Sequence, residues 1–71
     1  MRFFFFANEH LPVPIHVQNA DGRAKFHLLP KVKLVSNRGI KPSDLKMAEA
    51  VIEENITILI NAWEEFYGKT K

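Results

Sequence analysis

A chain of 71 residues, 46% hydrophobic and with a formal net charge of +2, has room for one small domain that buries only roughly 60% of its unfolded surface. It contains no cysteine, so neither disulfides nor a thiolate zinc site can reinforce it, and association with a second chain is the remaining common device. The charge is split, with eight Lys or Arg against three acids in residues 1–46 and two against five in residues 47–71, which suits nucleic-acid binding by the front half or head-to-tail packing of the halves.

The segment 2–7 reads as a strand, because its phenylalanines favour a pleated, packed surface. Alternation puts Phe3 and Phe5 on one face and Phe4 and Phe6 on the other, so both faces want cover. Pro12 and Pro14 have no N–H to donate, which makes the chain between them a loop or a sheet edge. In segments 15–20 and 23–28 the residues Ile15, Val17, Ala24, Phe26 and Leu28 alternate with His16, Gln18, Arg23, Lys25 and His27. The Asp21-Gly22 pair between them is a two-residue hairpin turn, which sets Val17 against Phe26 on an apolar face and His16 against His27 on a polar one. A four-residue loop would keep the same faces and slide the partners.

Segment 31–35 is a further short strand at an edge, and Ser36-Asn37-Arg38-Gly39 reads as a turn. Ser43 can cap a helix, with Asp44 in its first turn. Leu45, Ala48, Ile52, Ile56, Leu59, Trp63 and Phe66 then repeat at three and four residues, and the spacing predicts one long helix over 43–67 that stops at Gly68. Ile58 and Ile60 fall outside that stripe. The expected fold is α+β, a single domain over residues 1–71 with a three- to four-stranded antiparallel sheet packed against one long C-terminal helix.

Chemistry-bearing residues concentrate in two places. Glu9, His10 and His16 flank the prolines, and with His16 facing His27 across the hairpin the three histidines are candidate metal ligands, with Glu9 as a ligand or general base. No ligand-spacing motif accompanies them, and histidines that satisfy loop backbone or face solvent are the commoner arrangement. Arg23, Lys25, Lys31 and Lys33, with Arg38 and Lys41 nearby in sequence, form the second group, a candidate phosphate-contacting surface set against the commoner alternative of solvated lysines. Ser36 and Ser43 are explained by turn and cap, and the three glycines are too scattered for a phosphate loop.

The order of phenylalanine strand, Asn8-Glu9-His10, Pro12, His16-Val17, Ala24-Lys25-Phe26, the helix entry after Gly39 and Trp63 resembles DUF4160, a small bacterial family known only as a domain of unknown function. Its members read an acid and His, then Pro-Pro-His-x-His-Val; His10 and His16 match, while Val13 replaces a proline and Pro14 replaces a histidine. Many relatives carry a strand ahead of the phenylalanines, so this chain looks short at its start. The resemblance implies genes arranged like toxin and antitoxin pairs, and no established activity.

The leading expectation is a non-enzymatic interaction module, a homodimer or the partner of another small protein, with Phe3, Phe4, Phe5, Phe6, Ile58 and Ile60 at the interface. A metal-dependent hydrolase or nuclease-like protein comes second, and nucleic-acid binding without catalysis third. No cofactor is expected. Residues 3–6 and 56–60 are too short to cross a bilayer or form a signal-peptide core, so no membrane partner and a cytoplasmic location are expected.

Overall fold

A computed structural model of the chain describes residues 1–5 and 13–68, and side chains as far as residue 65. Four strands, β1 (Arg2–Phe4), β2 (Pro14–Gln18), β3 (Arg23–His27) and β4 (Lys33–Arg38), form an antiparallel meander in that order, followed by helices α1 (Pro42–Glu54) and α2 (Ile56–Gly68). The core lies between one sheet face and the helices. Ile15, Val17, Ala24 and Phe26 supply it from the strands, Val13, Leu28 and Ile40 from flanking segments, and Ala48, Ile52 and Trp63 from the helices.

The hairpin keeps its expected faces and loses its expected partners. His16 lies opposite Lys25 and Val17 opposite Ala24, so every pair is shifted by two residues from the register that an Asp21-Gly22 turn would impose. Asn19 is responsible. Its side-chain oxygen accepts hydrogen bonds from the Asp21 and Gly22 amides at 2.9 and 3.0 Å, and its own N–H donates to the Gly22 carbonyl at 3.1 Å, closing a four-residue loop. Among the described residues only Gly39 has positive φ, so the mirror-image turn that needs it at both Asp21 and Gly22 does not form. Pro14 opens an inner strand rather than a loop, tolerated there because it is the strand's first residue.

β4 begins and ends later than segment 31–35, and the expected turn at Ser36-Asn37-Arg38-Gly39 is mostly strand. The Asn37 side chain turns the chain one residue further on, donating to the Ile40 carbonyl at 2.9 Å and accepting from the Ile40 amide at 3.0 Å. A bulge interrupts the β3–β4 ladder: Lys25 pairs with Ser36 and Phe26 with Leu34, which leaves Val35 without an opposite residue.

The helix starts at Pro42, whose missing N–H and preset φ suit the first helical position; Lys41 holds the cap position without a side-chain hydrogen bond, and Ser43 does not cap. The single long helix is two helices. At Asn55 (φ −117, ψ 20) the side-chain amide donates to the Val51 carbonyl at 2.8 Å, and the backbone N–H is shared between Val51 and Ile52 carbonyls at 3.2 and 3.1 Å. A side chain competing for its own helix's carbonyls ends α1 here. The break turns the apolar stripe, so Ile60 packs half-buried against the core beside Ile56 and Leu59 while Ile58 is left outside, 67% exposed.

Candidate nucleic-acid interface

Period two sends alternate strand residues away from the helices. With Phe3, Ile15, Val17, Ala24 and Phe26 turned to the core, the opposite face carries Arg2, Phe4, His16, Gln18, Arg23, Lys25 and His27, joined from β4 by Lys33, Ser36 and Arg38. No helix covers it. Arg23 lies opposite Arg38, His16 opposite Lys25 and His27 opposite Lys33, and none of the four strands contains an aspartate or glutamate. Like charges directly opposite one another on a ladder are destabilising, so the Arg23–Arg38 pair favours an anion laid across it.

One corner of this face is an aromatic stack. The Phe4 and His16 rings lie 5.6 Å apart and 20° from parallel, and the Arg2 guanidinium carbon sits 5.0 Å from the Phe4 centroid. Phe3 and Phe5 turn the other way and pack half-buried against the core.

His16 and His27, expected to face one another across the hairpin, are not direct partners. His27 is opposite Pro14 and His16 opposite Lys25, which makes the two histidines diagonal neighbours, about 7–8 Å apart at such positions. Among the described residues no group of three or more His, Asp or Glu comes together to hold a metal ion. Glu9, His10 and Phe6 lie outside the described residues. Of the expected basic contacts, Arg23, Lys25 and Lys33 share the open face, whereas Lys31 sits in the β3–β4 loop and lines a groove on another surface. Arg38 lies on the open face opposite Arg23, and Arg2 joins it unanticipated, although it was readable from its alternation with Phe3.

Among the described residues no helix is long and apolar enough to cross a membrane. A family model described as "Domain of unknown function (DUF4160)" matches residues 1–64. No curated protein and no solved structure matches the chain.

Proposed function

Because the chain belongs to the DUF4160 family, a domain of unknown function that hands down no activity, we propose from the geometry that it is a non-enzymatic module binding nucleic acid across the helix-free sheet face. The observation that carries this reading is the Arg23–Arg38 pair on a face that also holds Arg2, Lys25 and Lys33, in strands without a carboxylate. Such a face offers phosphate contacts at the spacing of adjacent strands, roughly 4.8 Å. No helix projects from it to enter a major groove, which favours single strands over duplex. In a toxin and antitoxin type pair this surface would be the member's contact with nucleic acid.

Fluorescence anisotropy with a labelled single-stranded oligonucleotide tests the reading. Binding should weaken steeply with salt and fall at least tenfold in Arg23→Glu combined with Arg38→Glu. Salt-insensitive binding, or a double variant that binds as the parent does, would remove the proposal.

A further inference from the structure

The sheet ends in β4, an edge on which no other described strand pairs. β4 hydrogen-bonds to β3 on one side only, all six of its residues are exposed, and it contains no proline, so its outer row of amides and carbonyls is open to another strand. Its helix-facing side is bare as well. Leu34 pairs with the fully buried Phe26, yet is itself 40% exposed, because the helices stop short of this strand.

Chain continuity leads from that shelf into a groove. Immediately before β4, Lys31 and Val32 line an open, largely apolar cleft of about 400 Å³ with Leu29, Ile56, Ile60 and one acid, Glu53, which leaves the acidic residues of an incoming strand to the edge outside the cleft; it is roomy enough for a large apolar side chain. Lys31 and Lys33 stand at one end of the edge, and Arg38 at the other.

We infer that the β4 edge and this groove bind an extended segment of a different protein, one that adds a strand to the sheet, sets an apolar residue in the cleft and carries Asp or Glu beside it. Strand addition takes affinity from main-chain hydrogen bonds and specificity from side-chain pockets, and both halves are present. The charge decides between occupants. A second copy offers β1, which bears Arg2, or β4 itself; antiparallel β4–β4 pairing centred between Val35 and Ser36 would set Lys33 against Arg38 twice. An acidic strand meets the opposite sign at both ends. The acidic strand would share Lys33 and Arg38 with the proposed nucleic-acid face, so Leu34→Glu and the N-methylated peptide, which leave both residues in place, are the arms that separate the two readings.

The test is selection of displayed random twelve-residue peptides on the immobilised full chain, followed by affinity measurement with synthetic versions. The expected winners alternate acidic and apolar residues, lose at least tenfold in affinity for Leu34→Glu and for Lys33→Glu with Arg38→Glu, and lose it equally when the peptide itself is N-methylated at alternate residues. That last arm needs no change in the protein, so a folding defect cannot mimic it. Basic winners, binding that survives N-methylation, no enrichment at all, or a dimer in sedimentation that Leu34→Glu dissociates would each overturn the inference.

Discussion

Gly22 and Gly39 meet where the β2–β3 turn abuts the β4–α1 turn. A Cβ on Gly22 would collide with the Arg38 carbonyl oxygen, and one on Gly39, whose φ is +95, would lie 2.6 Å from the Asp21 carbonyl oxygen. The same junction is tied by Asn19, whose side-chain amide donates to Asp44 at 3.3 Å, and by Lys41 beside Asp21 at 3.9 Å. Gly39→Ala should therefore cost about 1–2 kcal/mol for its left-handed backbone alone, and Gly22→Ala about 1–3 kcal/mol through overpacking against rigid backbone. Asn19→Ala strands two turn amides and should cost about 1–2 kcal/mol. Urea unfolding checks all three; the Lys41–Asp21 pair, largely exposed, should contribute almost nothing.

Among the elements, the hairpin strands divide most sharply into a buried and an open side. Val17 is fully buried and Phe26 is 1% exposed. Phe26→Ala should lower stability by about 3–5 kcal/mol, and Val17→Asp should unfold the protein by placing a carboxylate among apolar side chains. His27→Ala, on the open face, should stay within about 0.5 kcal/mol of the parent. Similar losses at Val17 and His27 would contradict the division of faces. The helix break makes a matching distinction on α2: Ile60→Ala removes a packed side chain, while Ile58→Ala, at a position exposed in the single chain, should leave the urea midpoint of the monomer unchanged.

For the molecule as a whole, charge is sorted by layer: the strands hold Arg and Lys without an acid, and Glu49, Glu53, Glu54, Glu64 and Glu65 sit on the helices. A nucleic acid laid on the sheet is thereby kept from the acidic layer. If four phosphates are neutralised on a single strand, the logarithm of the binding constant should fall with the logarithm of salt at a slope of about −3, and Arg23→Gln should reduce that slope by about 0.7. Of the interface residues expected from sequence, Phe3, Phe5 and Ile60 pack half-buried against the core, so the apolar surface left for a homodimer to use on the helices is Ile58 with Met47 and Val51. Ile58→Asp is then the substitution that should convert a dimer to monomers in sedimentation at micromolar concentration.

Which residues face the core was legible in the chain because alternation at two and at three to four residues is a local property that any register preserves. Ile15, Val17, Ala24, Phe26, Ala48, Ile52 and Trp63 are buried as their spacing requires, and Arg23 and Lys25 share the open face for the same reason. Partners were not legible. The register depended on Asn19 rather than Asp21 organising the turn, the length of β4 on Asn37 holding Ile40, and the helix break on Asn55 taking the Val51 carbonyl. In each case an asparagine side chain displaced a backbone pattern that its neighbours alone would have continued. The convergence of Arg2, Arg23 and Arg38 on one surface, and the bare edge beside the groove, arise only when four strands and two helices meet, because they depend on what the helices leave uncovered.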